Sequence, residues 1–549
     1  MTHVYCDLRT TFADPGQWTL PSILRARAAE QPDAVFLVTP EEGRQWTYGE
    51  ILAETETLAR GLCAAGAAPG DRVLVMAANS AAFVRSWFAC GLADLVEVPV
   101  NVAYEGEFLR HQVVTSAPRW AIVDDVLAAR LAALGPDASM IERFWVIDTG
   151  HQAEAIELLR SGGRAAVPWQ DLAAAGDGPA PLPQTTPQSL ASIFFTSGTT
   201  GPAKGVAMPH AQMYLFGDEV VSLTRLTAAD TYLTVTPLFH GNAQFMAAYP
   251  ALIAGATLVV RPKFSASRWI DQVRADDVTV TNFLGVMMDF VWKQPARPDD
   301  ADNRLRCIFA APTASSIVAD FQARYGIEAF VEVFGLTETC APILSPYGQP
   351  RPPGAAGLHA SQWFDIRLVD PETDAEVPVG QVGELVVRPK LPWGCSLGYY
   401  AMPEKTLEAW RNLWFHTGDA LRRDEYGWYY FVDRYKDALR RRGENISSYE
   451  IEQAILGHPK VEQCAVVGVV AEIEAGEDEV LAVIVPAGPV SAEDILTWCE
   501  GRIPAFAIPR FVRFAAEIPK TQSEKVRKAA LRETGVTTDT FDRMAAVKG

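Results

Sequence analysis

Ser192-Ile-Phe-Phe195 runs directly into Thr196-Ser-Gly-Thr-Thr-Gly-Pro-Ala-Lys-Gly205, an apolar strand followed by ten residues with three glycines, four hydroxyls and one lysine. Glycine lets a backbone curl until successive N–H groups converge on one anion. The hydroxyls of Thr196, Ser197, Thr199 and Thr200 add donors, Gly198 and Gly201 give the curl, and Lys204 supplies a cation. Together they suit a polyphosphate. A P-loop, GxxxxGK followed by Ser or Thr, does not fit. Counted from Gly198, Ala203 precedes the lysine and Gly205 stands where a magnesium-binding hydroxyl belongs. The bland alternative is a Gly/Ser turn with no ligand.

Outward from this stretch, short β-rich runs alternate with helical patterns. Arg72-Val-Leu-Val-Met76 reads as a buried strand and Ala81 to Gly91 as the helix after it; Trp120–Val123, Thr231–Val235 and Thr257–Val260 are further strands. Such alternation predicts an α/β fold with parallel sheets covered by helices. From about Arg367 the texture changes to short strands broken by Gly and Pro, as in a small antiparallel subdomain. After Arg434 it changes again: a helix starts at Tyr449, strands span 464–470 and 480–485, and a helix runs from Ala492 to Cys499. The tail has apolar residues enough for a small α+β domain. The predicted division is 1–434 and 437–549, with the boundary at 434–437.

Composition narrows the function. At 549 residues the chain outgrows one ordinary core. A net charge of −19 without a basic block argues against nucleic acid or an anionic membrane as partner. Eight cysteines without a CxxC pair fit a reducing, cytoplasmic setting, and the eight histidines show no HExxH or Cys/His ligand spacing. Met1 to Pro15 holds Asp7, Arg9 and Asp14 and no apolar run, so no signal peptide is expected. The longest apolar stretch, Met246 to Val260, contains Pro250 and Gly255 and falls short of the roughly 18 residues of a membrane span. Self-association is left open.

The decapeptide 196–205 resembles the phosphate-binding signature of the adenylate-forming superfamily, which includes acyl-CoA synthetases, peptide-synthetase adenylation domains and beetle luciferases. It departs at Ala203, where the family usually has Pro. Further segments follow in family order: Ala310-Ala-Pro312, Val333-Phe-Gly-Leu-Thr-Glu338, Trp414-Phe-His-Thr-Gly-Asp419, Asp433-Arg-Tyr-Lys-Asp437, Arg442-Gly-Glu-Asn-Ile446 and Ile518-Pro-Lys-Thr-Gln-Ser-Glu-Lys525. In the last, Glu524 replaces the usual Gly. The tail looks most like the crotonobetaine/carnitine-CoA ligase group.

The resemblance implies a large N-terminal domain of helix-covered sheets with a distorted β-barrel-like subdomain, and a small mobile C-terminal domain. It implies that a carboxylic acid, ATP, Mg²⁺ and coenzyme A are brought together, first as an acyl-adenylate with release of pyrophosphate, then as an acyl-CoA with release of AMP. ATP would be held by Thr196, Ser197, Gly198, Thr199, Thr200, Gly201 and Lys204. Backbone at Ala311, the ring of Phe334 and Gly335 would meet adenine, Thr337 a phosphate, and Asp419 and Arg434 the ribose. Glu338 would hold the metal, Lys525 would be the catalytic lysine, His240 would edge the acyl site, Lys436 would be the hinge and Gly443 would border the pantetheine arm. For His240 the rival role is a helix cap. Segments 239–245, 283–288, 310–313 and 339–343, chiefly apolar, would wall the acyl pocket. They suit a medium-sized apolar acid as well as a betaine. A separate carrier protein in place of coenzyme A is the alternative acceptor.

Overall fold

The computed structural model describes residues 3–176, 178, 180–196, 203–284, 287–311, 317–434, 439–441, 444–446, 448–470, 478–519, 526 and 528–546. Two seven-stranded sheets carry the first part of the chain. One runs in the order Ala165–Pro168, Arg143–Ile147, Trp120–Asp124, Arg72–Met76, Val96–Pro99, Leu190–Thr196, Lys204–Pro209; all its pairings are parallel except the last. The other runs Ala329–Val331, Cys307–Ala311, Val280–Leu284, Thr231–Thr234, Thr257–Val260, Val35–Thr39, Arg44–Thr47, again antiparallel only at that final pair.

The expected strands 72–76 and 257–260 match observed ones to the residue, and the helix expected over 81–91 spans Ala81–Leu92. Their apolar content has one cause, burial on both faces. In Arg72–Met76, Val73 and Val75 join a central core, whereas Leu74 and Met76 face a second cluster on the outer side of the sheet. In the other sheet Tyr232 and Leu258 face the same central core, and Leu233 and Val259 an outer one. Helices Ala81–Leu92 and His210–Thr224 lie in that shared layer and are buried nearly all round, as befits a helix between two sheets.

Carboxyl groups enter this layer, Asp218 and Glu97 among them. Asp218 accepts from the backbone and hydroxyl of Thr11 and from the Tyr214 hydroxyl, which ties the first residues to the central helix; burial pushes its carboxyl up to about 6. Glu97, between Val96 and Val98 on the sheet, accepts from Gln244 Nε2 at 2.9 Å across the layer. Burial pushes it up to about 8, against the opposing effect of that bond. Gln244 opens a π-helical turn, Gln244–Ala248.

The third sheet, of eight strands, is antiparallel throughout and begins at Val333–Leu336. Strands Phe364–Val369, Val382–Pro389 and Trp428–Arg434 supply the short antiparallel strands expected from about Arg367 onward. The described residues within 439–546 form a two-stranded ribbon, Leu439–Arg441 with Glu444–Ile446, and a four-stranded sheet headed by Val461–Val470 and Asp478–Pro486. Helices Ser448–Leu456 and Ala492–Cys499 contribute to the core there. The expected hinge position Lys436 lies outside the described residues. This C-terminal core reaches Tyr104 and Phe108 of the large part. Gly106 lies between them at φ +54°, and a Cβ on it would come within 2.9 Å of the Arg502 carbonyl oxygen. Among the described residues no helix is long and apolar enough to cross a membrane.

Two consequences are measurable. Gly106→Ala carries the left-handed penalty of about 1–2 kcal/mol and pushes Arg502 away. It should lower the thermal midpoint and speed limited proteolysis of the C-terminal residues. For Glu97, the folded carboxyl titrates above its ordinary 4.5, so its contribution is complete below that value and lost as pH rises towards about 8. Glu97→Gln should therefore flatten the pH dependence of unfolding free energy across this window, removing a slope of up to ~1.4 kcal/mol per pH unit. An unchanged slope in urea titrations at several pH values would refute this.

Candidate active site

Strand Leu190–Thr196 turns back antiparallel as Lys204–Pro209, and its register sets Thr196 opposite Lys204. The two residues therefore flank the mouth of the glycine-rich turn. Ser197, Gly198, Thr199, Thr200 and Gly201 lie outside the described residues. Ala203 stands where proline was expected. Its carbonyl accepts from His111 Nε2 at 2.7 Å, which assigns that nitrogen the proton and tethers the turn to helix Gly106–Ser116.

Glu338 comes to the same place from the third sheet. Hairpin strands Val333–Leu336 and Cys340–Leu344 approach so closely that a Cβ on Gly335 would sit 2.4 Å from the Cys340 carbonyl oxygen. A side chain at 335 is thereby excluded. Gln212 Nε2, on the central helix, donates to the Thr337 carbonyl at 2.8 Å, and Ser396 N donates to the Glu338 carbonyl at 2.9 Å. Glu338 is buried. Its Oε1 accepts from the Tyr399 hydroxyl at 2.9 Å, and the Lys204 ammonium lies 4.1 Å from the centroid of the same tyrosine ring. The expected cation and carboxylate thus meet through a residue that sequence reasoning did not select. The one signal for it was the pair Tyr399-Tyr400 directly after Gly398.

Phe334 is half-buried and stacks on Phe431, with centroids 6.0 Å apart and planes at 29°, so an aromatic pair lines this side. Asp419 is 2% exposed on strand Trp414–Arg423, and its register partner on the next strand is Arg434. Its backbone is shaped by Thr417 Oγ1, which accepts from Asp419 N at 3.1 Å and donates to the Leu385 carbonyl at 2.7 Å. Glu384 Oε1 accepts from Gly418 N at 3.0 Å, and Glu384 Oε2 lies 2.9 Å from His416 Nδ1. The Thr-Gly-Asp turn is thus braced from below. Of Ala311 and Arg434 the backbone alone is described. Gly443 and Lys525 lie outside the described residues.

His240 precedes the short helix Gly241–Ala243, and its side chain makes no capping bond to that helix. His240 is itself the N-cap residue of that helix, and its carbonyl accepts from Ala243 N and Gln244 N, so the rival role as a cap is filled by its backbone and not by its ring. The ring lies against Phe239, centroids 5.4 Å apart. The segment expected to wall the acyl pocket is more polar behind its surface than its apolar residues announced. Asn282 Nδ2 donates to Thr236 Oγ1 at 2.9 Å and to Asn242 Oδ1, and Asn79 Oδ1 accepts from Leu238 N at 2.7 Å. These bonds fix the approach to His240. Among the described residues no group of three or more His, Cys, Asp or Glu side chains forms a metal cage.

The sequence pattern of the AMP-binding enzyme family matches residues 24–400, and that of the AMP-binding enzyme C-terminal domain matches 450–525. A feruloyl-CoA synthase from an Amycolatopsis species is 32% identical over 527 residues, which cover 94% of this chain and 98% of that protein. A crotonobetaine/carnitine–CoA ligase from Salmonella heidelberg is 28% identical over 501 residues, covering 89% and 93%. Among solved structures, a double mutant of o-succinylbenzoate CoA synthetase from Bacillus subtilis shares the fold, with a TM-score of 0.79 at 21% identity over 96% of this chain and 99% of that one. Two relatives matched almost from end to end, and a family pattern across most of the chain, agree with the site's geometry: the chain belongs to the AMP-binding enzyme family.

Proposed function

We infer that this protein is an acid–CoA ligase: it activates a carboxylic acid with ATP as an acyl-adenylate, releases pyrophosphate, and passes the acyl group to coenzyme A with release of AMP. The meeting of Lys204 and Glu338 through one buried tyrosine at the mouth of a glycine-rich hairpin carries this inference. A cation suited to phosphate oxygens and a carboxylate suited to a metal share one neighbour there, which supports this reading. Both relatives reported above are named as CoA ligases or synthases, which favours coenzyme A over a carrier protein as acceptor.

The substrate carboxylate attacks the α-phosphorus, the bond to the β-phosphate oxygen breaks, and no protein nucleophile takes part. Positioning and charge neutralisation then account for the rate. Lys204, Thr196 and the turn 197–201 hold the phosphates. The Phe334 ring, Gly335 and the backbone of Ala311 receive adenine; Thr337 contacts a phosphate; Asp419 accepts from the ribose hydroxyls and Arg434 donates there. Mg²⁺ typically keeps substrate phosphates and waters as ligands and takes only one or two protein carboxylates. Glu338 fits that demand, and the bound ion neutralises phosphate charge. Lys525 serves the reacting phosphate in the first step. The division into 1–434 and 437–549 then lets the C-terminal domain turn about Lys436, which withdraws Lys525 and presents Gly443 beside the thiol arm. His240 gates the acyl carboxylate. We place the enzyme in the cytoplasm. The acid is medium-sized, with a mainly apolar body or a betaine head held by aromatic faces.

Labelled pyrophosphate should exchange into ATP when the protein is given Mg²⁺ and a panel of acids, and AMP release should then depend on free coenzyme A. Failure to exchange with any acid overturns the function. Lys525→Ala should lower adenylation by about 10²–10³ and slow thioester formation from supplied acyl-adenylate far less. Equal losses in the two half-reactions would remove the role given to Lys525.

A further inference from the structure

Tyr399 belongs to none of the segments that pointed to the site, yet it touches two of its charged groups. It is 7% exposed. Its hydroxyl donates to Glu338 Oε1, and its ring lies beneath the Lys204 ammonium. We propose that Tyr399 is a positioning residue for the adenylation step, orienting the carboxylate of Glu338 towards the metal and the ammonium of Lys204 towards the phosphates before ATP arrives. This rests on the metal and phosphate roles given above to Glu338 and Lys204.

The side chain can do this because its backbone is fixed on both sides. Leu397 N donates to the Ala207 carbonyl at 2.8 Å, Ala207 N to the Gly398 carbonyl at 2.9 Å and Tyr400 N to the Gly205 carbonyl at 2.7 Å. Residues 397–400 therefore lie as an extra strand along the edge of Lys204–Pro209. Tyr399 N donates to Thr406 Oγ1 at 2.9 Å. Gly398, at φ +110°, passes so close to Thr406 that a Cβ would lie 2.4 Å from its methyl carbon, which holds the turn before the tyrosine to glycine. Ser396, from the same segment, holds the Glu338 carbonyl. One five-residue stretch thus grips the backbone of both the hairpin and the Glu338 segment.

Chemically, phenol is the side chain that can serve both neighbours at once. The electron-rich ring face attracts an ammonium, and the hydroxyl donates to a carboxylate oxygen. A carboxylate that binds a metal through one oxygen is commonly steadied by a hydrogen bond to the other, and loss of such a partner costs roughly 10–100-fold in metal affinity. Phenylalanine at 399 keeps the ring and removes this donor; leucine removes both.

The test is Mn²⁺ binding, followed by electron paramagnetic resonance, to the full-length enzyme saturated with α,β-methylene ATP, a non-cleavable analogue. Tyr399→Phe should weaken Mn²⁺ by about 10–100-fold, leave the metal-free affinity for the analogue nearly unchanged, and keep the wild-type thermal midpoint. Tyr399→Leu should weaken the analogue even without metal. Unchanged Mn²⁺ affinity in Tyr399→Phe overturns the proposal. Equal losses of metal and metal-free nucleotide affinity in that variant also overturn it, because they indicate general distortion. Glu338→Gln separates the two levels. If it too leaves Mn²⁺ unaffected, the metal role of Glu338 falls and the proposal with it; if it weakens Mn²⁺ while Tyr399→Phe does not, the proposal alone falls.

Discussion

The backbone ladder between residues 397–400 and strand Lys204–Pro209 is the contact on which the site depends. An antiparallel strand at the end of a parallel sheet presents unpaired N–H and C=O groups, and such an edge must be covered or blunted. Here it is covered by a segment that continues from the third sheet. The consequence is spatial. Lys204 and Thr196 belong to one sheet, and Glu338 to a hairpin of another. The ladder brings Lys204 and Glu338 to either side of Tyr399, near the carboxyl end of Leu190–Thr196, where open α/β sheets generally place their ligands.

Beneath that meeting point the protein buries polar groups in quantity, and most are tied to backbone. Gln212 holds the Thr337 carbonyl, Asn79 holds Leu238 N, Glu219 accepts from Ala341 N, and Glu384 holds Gly418 N. Each of these bonds runs between segments distant in sequence, and each ends within a few residues of a proposed ligand group. Buried hydrogen bonds of this kind contribute modestly to stability when made and are costly when broken. Their effect is to make the loops of the site rigid without making them apolar. Nucleophilic attack at phosphorus by a substrate group, with no covalent help from the enzyme, depends on such rigidity, since misplacement of reacting atoms is what raises the barrier.

What could be read from the chain alone follows from how local each signal is. Strands 72–76 and 257–260 were legible because burial on both faces forces a continuous apolar run. Thr196, Lys204, Glu338 and Asp419 stood out because each lies in a short stretch in which Gly, hydroxyl and charge stand side by side, a pattern suited to phosphate or ribose. Tyr399 did not, because its meaning lies in a hydrogen bond to a residue 61 positions earlier and a ring contact with a lysine in another sheet. Glu97 was hidden for the same reason. Inside Val96–Pro99 it interrupts an apolar run, and its partner Gln244 is 147 residues away. His240 was half legible. Its place before a helix start suggested a cap, and it does stand at the N-cap of Gly241–Ala243, but its ring makes no capping bond.

The C-terminal residues pose the converse case, a contact that joins two local signals. Lys528 Nζ lies 2.7 Å from both Ser448 Oγ and Glu452 Oε1. Glu452 Oε1 accepts from Val466 N as well, so the pair is tied to the strand Val461–Val470 beneath it. Helix Lys528–Thr534 follows Lys525 by three residues, and helix Ser448–Leu456 follows Gly443 by five. The two helices are therefore anchored to the same largely buried ion pair and, through it, to one strand. Breaking such a pair by removing one partner leaves an uncompensated charge and is costly, so helix Ser448–Leu456 and helix Lys528–Thr534 hold a fixed relation to each other, and whatever displaces one displaces the other.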